Sequence, residues 1–248
     1  MPWLVVALLG VAILAHTAPF PFILDWMHPG VAVWRMPRGA TPSVYLTFDD
    51  GPNPTATPLL LDVLRRHRVH ATFFLIDRHL TEDTAPIVRQ MFEEGHAVGV
   101  HSHTRRLMAM QPGTLGEVIA AAADRMERLT GHRPCSAFRP HAGWRSWMMM
   151  RGLGRRGFHL VGWGLRLWDA ELFRPRTAER LVPRLARHAG DGSIIVMHDG
   201  HHVDPAADRR YAVETVDRLI PRLRAKGLEF GTICERAPGD VKEAELAR

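Results

Sequence analysis

Two adjacent carboxylates stand where a predicted strand meets a turn. Asp49 and Asp50 follow the β-rich run that begins at Ser43, and Gly51 and Pro52 come directly after them. Successive side chains of a strand point to opposite faces, so two neighbouring carboxylates could not share a site inside one strand. We expect Gly51 and Pro52 to end the strand, so that both carboxylates project from one edge. Paired carboxylates suit water activation and cation binding.

Other side chains with useful chemistry end further predicted strands. They are His101, Arg139, Trp163 and His198. The carboxyl ends of parallel strands meet at one edge of a barrel, and active sites of that architecture are built there. The recurrence of such residues at successive strand ends therefore predicts one shared site rather than unrelated structural residues.

The elements that position these side chains alternate regularly along the chain. The strand candidates are residues 43–48, 71–76, 97–101, 137–139, 159–163, 193–198 and 229–233. Helical patterns lie between them. Five of these patterns are followed by a glycine, which we expect to end the helix in the left-handed backbone conformation: Gly95, Gly131, Gly157, Gly190 and Gly227. This alternation predicts parallel β/α units with right-handed crossovers. A barrel and an open doubly wound sheet share this local pattern.

The motifs within these elements resemble those of a known family. Residues Thr47 to Pro52 are similar to the first motif of the polysaccharide deacetylase (NodB-homology) family, also called carbohydrate esterase family four. The resemblance continues through residues 71–74, 95–96, 101–102, 138–140, 195–199 and 226–230. It implies an α/β fold, a distorted (β/α) barrel of about seven parallel strands.

The resemblance also implies a role for each of the main site residues. Asp49 would be the general base, Asp50 a metal ligand and His101 the first of two histidine ligands. Arg139 would hold and polarise Asp49, and His198 would act as the general acid. These roles suit amide hydrolysis, which needs an activated water, a stabilised oxyanion and a proton for the departing amine. The implied cofactor is a divalent metal, zinc in the first instance.

The sequence departs from the family at the second histidine ligand. The family places that histidine four residues after the first, where this chain has Arg105. A guanidinium stays protonated and has no lone pair, so it cannot coordinate a cation. Three explanations remain open. In the first, His103 replaces the missing ligand, with His141, His201 or His202 as alternatives. In the second, the enzyme is metal-free and Arg105 stabilises the charge that develops. In the third, the site is inactive and only binds glycan.

The residues around the general acid and the glycan also differ from the family pattern. The acidic partner of the general acid is missing from its usual position, and we expect Asp169, ahead of Asp199, to tune His198. Indole faces pack well on sugar rings. The predicted substrate-binding residues are Trp144, Trp163 and Trp168.

Size and composition fit one globular domain. The chain has 248 residues, of which 46% are hydrophobic and 23% charged. Its formal net charge of +6 comes almost entirely from scattered arginines, which does not indicate a nucleic-acid partner. Cys135 precedes one predicted strand and Cys234 follows another, which places them at opposite ends of a parallel barrel. We therefore predict two free thiols.

The amino-terminal segment is apolar. Residues 1–24 carry no charged side chain, and the run from Trp3 to Ala15 is unbroken. This pattern predicts a membrane anchor or signal-like segment rather than a segment packed under the barrel, and an uncleaved anchor is favoured because Pro19 would follow a cleavage point at Ala18. Residues 25–42 would then be a linker, 43–235 the deacetylase domain and 236–248 a polar tail.

The sequence as a whole favours a membrane-associated hydrolase of the bacterial cell envelope. It would remove N-acetyl groups, and less readily O-acetyl groups, from an envelope or chitin-like polysaccharide. The alternative is a non-catalytic glycan-binding protein of the same fold, because Arg105 interrupts the metal site. Amide hydrolysis on a small nitrogenous molecule is a third possibility, since related barrels support it.

Overall fold

The computed structural model describes residues 2–17, 23–169 and 176–234, in which helices and strands alternate. The α-helices are α1 (Pro2–His16), α2 (Ile23–Met27), α3 (Ala56–His67), α4 (Ala85–Glu93), α5 (Pro112–Thr130), α6 (Trp147–Arg155), α7 (Ala178–His188) and α8 (Arg210–Arg224). The strands are β1 (Ala32–Val33), β2 (Ser43–Gly51), β3 (Thr72–Ile76), β4 (Ala97–His101), β5 (Ala137–Arg139), β6 (His159–Val161), β7 (Ser193–His198) and β8 (Glu229–Phe230).

The described strands form one curled parallel sheet. Its order is β1-β6-β5-β4-β3-β2-β7, with β8 paired to β2, and every pairing between these strands is parallel. Leu46 and Phe48 of β2 pack with the helices in the larger core cluster, whereas Tyr45 belongs to a smaller cluster enclosed by the strands. Both faces of the sheet are therefore covered, as parallel strands require. The predicted distorted barrel is confirmed.

One side of the barrel is closed by irregular chain. After β6 the backbone runs beside β7, where the Val196 N–H donates to the Leu167 carbonyl at 2.8 Å and the Asp169 N–H donates to the Val196 carbonyl at 3.0 Å. The strand predicted at residues 159–163 ends at Val161 because the chain leaves the regular sheet for this contact. The same contact brings Asp169 beside the end of β7.

The stretch predicted as a linker, residues 25–42, contributes to the barrel wall. β1 lies within it and pairs with β6 through the register partners Ala32–Leu160 and Val33–Val161. Further on, the Met36 N–H donates to the Gly192 carbonyl at 2.9 Å. This stretch therefore spans from β6 to β7 across the gap in the sheet.

The predicted helix ends are mostly confirmed. Gly95, Gly131, Gly157 and Gly227 have φ angles from 69° to 79°. Gly190 does not, because α7 ends at His188 and continues into an extended Ala189. The left-handed residue there is Gly192, with φ of 74°, and a Cβ at this position would collide with the Met36 carbonyl oxygen.

The prediction of free thiols is wrong. Cys135 and Cys234 form a disulfide, with their Cα atoms 6.1 Å apart. The last strand stops at Phe230 rather than at residue 233, and the Ile233 N–H donates to the Thr72 hydroxyl at 2.9 Å. Thr72 begins β3, so this contact holds the segment before Cys234 at the end of the barrel at which Cys135 precedes β5.

The helix α1 displays apolar side chains on its surface. Trp3, Leu4 and Leu8 are 83%, 62% and 61% exposed. The carboxyl end of α1 is joined to the barrel by a hydrogen bond of 2.9 Å from the Arg145 N–H to the His16 carbonyl. In the part of the chain that the structure describes, no helix has the length and hydropathy needed to cross a membrane. The predicted polar tail at 236–248 lies outside the described residues.

Candidate active site

Asp49 and Asp50 lie at the carboxyl end of β2, at the mouth of the barrel. The strand continues to Gly51, beyond the predicted end at residue 48. Its pairing with β3 shifts between Asp49 and Gly51, and Asp50 has a φ angle of 70°. A bulge with one left-handed residue breaks the alternation of side chains, and aspartate tolerates that conformation better than most residues. The bulge therefore allows two neighbouring carboxylates to serve one site.

Gly51 packs against a third carboxylate, that of Asp199. A Cβ at position 51 would lie 2.7 Å from Asp199 Oδ2, so a side chain there would displace this carboxylate. The Thr57 hydroxyl donates to Asp199 Oδ2. Burial raises the pKa of Asp199 to about 7, and the charges of Asp50 and Asp49 add to that effect. Asp199 thus lies directly behind the bulge and contacts no described histidine.

Arg139 holds Asp49 inside the barrel. Its side chain is fully buried, and Nη1 donates to Asp49 Oδ1 at 2.7 Å and to the Thr47 hydroxyl at 2.8 Å. Nε donates to the Val161 carbonyl at 3.0 Å, and the guanidinium packs over the Phe74 ring at 4.1 Å. These contacts leave the guanidinium little freedom, so Asp49 is kept in one orientation, as the resemblance implied.

His198 ends β7 and pairs in register with Asp49. Its Nδ1 lies 2.7 Å from Oδ1 of the buried Asp169, and its backbone N–H donates to Oδ2 of the same carboxylate at 3.0 Å. Burial lowers the pKa of His198, but Asp169, helped by Asp49 and Asp50, outweighs burial and raises it to about 9. His198 is therefore protonated at neutral pH.

The Asp169 carboxylate has a second partner that sequence reasoning missed. The Tyr211 hydroxyl donates to Asp169 Oδ2 at 2.7 Å, and Arg176 Nη1 donates to the Tyr211 oxygen at 3.3 Å. Burial raises the pKa of Tyr211, and the charge of Asp169 raises it further, so the phenol stays a donor. Tyr211 lies on α8, far along the chain, and no motif marked it.

Asp50, His101 and His141 form a group of metal-ligand type. Each offers one ligand atom, and these atoms lie within 4.8 Å of one another. His101 Nε2 is 3.3 Å from Asp50 Oδ1, and this buried oxygen makes no hydrogen bond among the described residues. Burial lowers the pKa of His141 to about 4, which favours the neutral imidazole that a metal needs. One carboxylate and two imidazoles suit a divalent ion such as zinc.

The predicted replacement ligand, His103, is not in this group. Extended positions two apart share a face only while the strand continues, and β4 ends at His101. His103 instead lines a cavity with Asp77 and Leu107, where burial and the charge of Arg78 lower its pKa. The structure therefore brings in His141, one of the alternatives, and not His103.

The three tryptophans predicted to bind substrate have different surroundings. Trp163 is 4% exposed and lies in the inner core, with its ring 5.8 Å from the Arg139 guanidinium. This corrects the prediction for Trp163, because a buried indole offers no face to a glycan. Trp144 and Trp168 are half-buried, and the Arg105 guanidinium lies 5.3 Å from the Trp144 ring centroid.

Comparisons with known proteins agree with this fold and these motifs. Residues 36–158 match the family described as polysaccharide deacetylase. A chitooligosaccharide deacetylase from Azorhizobium caulinodans is 34% identical over 195 residues, covering 75% of this chain and 90% of that protein. The crystal structure of a peptidoglycan N-acetylglucosamine deacetylase superposes with a TM-score of 0.71 at 25% identity, covering 87% of this chain and 96% of the other.

A third similar protein is a family 4 acetyl xylan esterase from Clostridium thermocellum, solved in complex with a cobalt ion. It has a TM-score of 0.66 and 30% identity, and the match covers 77% of this chain and 88% of the esterase. The resemblance drawn from the motifs is therefore confirmed.

Proposed function

This chain belongs to the polysaccharide deacetylase family, and we propose that it hydrolyses N-acetyl groups on a bacterial cell-wall or chitin-like glycan. Its relatives named above act on chitooligosaccharide and on N-acetylglucosamine of peptidoglycan. The observation that carries the proposal is the register pair Asp49–His198, which lies at the same barrel mouth as Asp50 and His101. Hydrolysis of O-acetyl esters is the less favoured reaction of the same site.

We propose that Asp50, His101 and His141 hold a divalent cation, zinc in the first instance. The support is the chemistry of the donor set and the unmet hydrogen-bonding capacity of the buried Asp50 Oδ1. A cation bound there would lower the pKa of a water molecule and polarise the acetyl carbonyl. Arg105 contributes no lone pair, and His141 makes that contribution from another loop.

Asp49 is the proposed general base. Its carboxylate accepts a proton from the attacking water as the water oxygen bonds to the acetyl carbonyl carbon. Arg139, donating at 2.7 Å, keeps the acceptor oxygen in place during this transfer. Arg139 is thus a positioning residue, since Nη1 also donates to Thr47 and since Nε and Nη2 donate to backbone carbonyls inside the barrel.

His198 is the proposed general acid. When the carbon–nitrogen bond breaks, the departing nitrogen takes a proton from the imidazolium, and the products are acetate and a free amine on the sugar. Asp169 fixes the ring through Nδ1 and leaves Nε2 for the substrate. A pKa of about 9 keeps the proton available at neutral pH.

Trp144 and Trp168 are the proposed glycan-contacting aromatics, since both indoles are partly exposed. We assign the activity to the predicted domain 43–235, completed by β1 from the preceding segment.

We also propose that α1 rests on membrane lipid and keeps the protein at the cell envelope. Its support is the exposure of successive apolar side chains, such as Val5 and Leu9, on a helix without a charged residue. The described helix has 15 residues and is about 22 Å long, so the proposal is contact of its apolar surface with lipid.

The rival function, non-catalytic glycan binding, was suggested because Arg105 stands where the family has its second histidine ligand. Measuring acetate release distinguishes the deacetylase from a glycan-binding protein. Purified protein with added zinc is incubated with N-acetylchitotetraose and with purified peptidoglycan, and acetate and the mass of the glycan are measured. Release that depends on both zinc and Asp49 supports the deacetylase. Binding of either glycan without any acetate, from zinc-loaded protein, would contradict it.

A further inference from the structure

Arg105 lies on the segment that follows His101, one of the proposed metal ligands. It begins the short 3-10 turn Arg105–Ala109, four residues after His101, and its side chain is exposed. The guanidinium lies 5.3 Å from the ring centroid of Trp144, which is three residues after His141. The same two loops therefore carry the two imidazoles of the metal group and an exposed arginine in cation–π contact with an indole.

Among the described residues, the Arg105 side chain makes no ion pair and no hydrogen bond, and its guanidinium contacts the Trp144 ring. The buried arginines at this end of the barrel differ, since Arg139 pairs with Asp49. A cation–π contact with an indole holds a guanidinium near the ring and leaves its N–H donors available to another partner. Within the described part of the chain, Arg105 is thus an exposed cation without an acidic partner, at the mouth of the candidate active site.

The chemistry of a guanidinium indicates what would occupy this position. Its fork of N–H donors matches a carboxylate, with which it forms two parallel charge-assisted hydrogen bonds. The hydroxyl groups of a neutral sugar offer weaker, uncharged hydrogen bonds. The net charge of +6 on the whole chain would also attract an anionic glycan to the protein.

We propose that Arg105 and Trp144 form a subsite for a sugar that carries a carboxylate, next to the sugar that loses its acetyl group. The enzyme would thereby select acidic over neutral acetylated glycans. This inference rests on the proposed deacetylase function and adds a substrate class to it. Trp144 packs on the sugar ring, and Arg105 pairs with the carboxylate.

The test is a pair of glycans that differ only in whether their carboxyl groups are free or esterified. One is a peptidoglycan tetrasaccharide whose alternate sugars carry carboxylates, and the other is the same compound with those carboxylates converted to methyl esters. Binding is measured by calorimetry in an Asp49→Asn background, so that turnover does not interfere. We expect the acid to bind about fivefold more tightly than the ester at low salt, which is the upper range for an exposed ion pair.

Arg105→Gln should bring this ratio to about one. Arg106→Gln, which removes an exposed charge from the neighbouring position, should leave the ratio unchanged. The acid preference should also shrink as ionic strength rises, because exposed charges are screened.

Equal binding of acid and ester by protein that retains Arg105 would overturn the proposal. So would an Arg105→Gln variant that weakens both glycans by the same factor, because the arginine would then act on the shared acetamide or on the fold. Acetate release from N-acetylchitotetraose by protein with Asp49 intact tests the deacetylase function separately. A retained acid preference without acetate release would remove the catalytic proposal and leave the subsite.

Discussion

Asp49 and His198 are register partners on the adjacent parallel strands β2 and β7. Register partners direct their side chains to the same face of a sheet, and neighbouring strands lie about 4.8 Å apart. Arg139 contacts Asp49 at 2.7 Å, and Asp169 contacts His198 at 2.7 Å. An acceptor and a donor of protons, each held by its own buried partner, therefore face one point at the barrel mouth, as the proposed hydrolysis requires.

Removing either member of this pair should abolish most of the activity. We expect Asp49→Asn and His198→Ala each to lower kcat for acetate release by about 10²- to 10⁴-fold, the usual contribution of a general base or acid. Both variants should stay folded and keep their zinc content, but each should have a lower Tm, because each leaves a buried partner, Arg139 or Asp169, without its opposite charge. Unchanged kcat in both variants would show that the roles are assigned to the wrong residues.

The pH profile should fall on its basic side near pH 9. His198 has a pKa raised to about 9, so its acid form is present below that pH and is lost as the pH rises through it. Asp169→Asn removes the largest contribution that raises this pKa and leaves burial, which lowers it. The basic limb of kcat should then move to lower pH. Asp62→Asn, on an exposed face of α3, is the matched control, and a limb that shifts equally in both variants would count against Asp169.

The metal should depend on His141 and not on His103. His141→Ala should weaken zinc binding about 10- to 100-fold or more, because it removes one of three protein ligands. His103→Ala should leave the affinity unchanged, since that imidazole lies outside the ligand group. Zinc affinity of the chelator-treated protein, measured by titration calorimetry, distinguishes the two. The reverse order of effects would restore His103 as the replacement ligand.

The disulfide should contribute measurably to stability. It closes a loop of sequence separation 99, for which cross-linking typically adds about 2–4 kcal/mol. The double variant Cys135→Ser, Cys234→Ser should therefore have a Tm lower by about 5–10 °C. Thiol titration under denaturing, non-reducing conditions should find no free thiol in the unmodified protein, and two free thiols would refute the bond.

Lipid binding should depend on the apolar surface of α1. The variant Val5→Glu, Leu9→Glu places two charges among exposed apolar side chains and should lower the vesicle partition coefficient more than tenfold. Leu59→Glu, a similar exchange at an exposed position of α3, should have no effect. Flotation with phosphatidylethanolamine–phosphatidylglycerol vesicles measures both. Flotation that is equal for all three proteins would exclude α1 as the lipid contact.

Much of this architecture was predictable because its signals are local. The strands β4, β5 and β7 have the predicted bounds, and each ends in a polar residue that reaches the barrel mouth. Residue type alone also excluded Arg105 as a metal ligand, since a guanidinium has no lone pair wherever the fold places it. Asp169, predicted as the partner of His198, does contact its ring.

Other features depended on backbone paths that no short motif encodes. Residues 229–233 looked like a full strand, yet the strand ends at Phe230, the Ile233 N–H bonds the Thr72 hydroxyl, and Cys234 pairs with Cys135. The Tyr211 hydroxyl of α8 donates to Asp169 across a sequence separation of 42 residues, a contact that depends on how α8 packs in the fold.

The sequence by itself determined which side chains can do chemistry and on which strand ends they stand, because residue type and strand periodicity are properties of short segments. Only the tertiary structure decided which further histidine lies with Asp50 and His101, and that histidine is His141 rather than His103. The physical reason is that ligand groups are defined by distances of a few ångströms between separate loops. Those distances follow from how the loops pack on the barrel rather than from spacing along the chain.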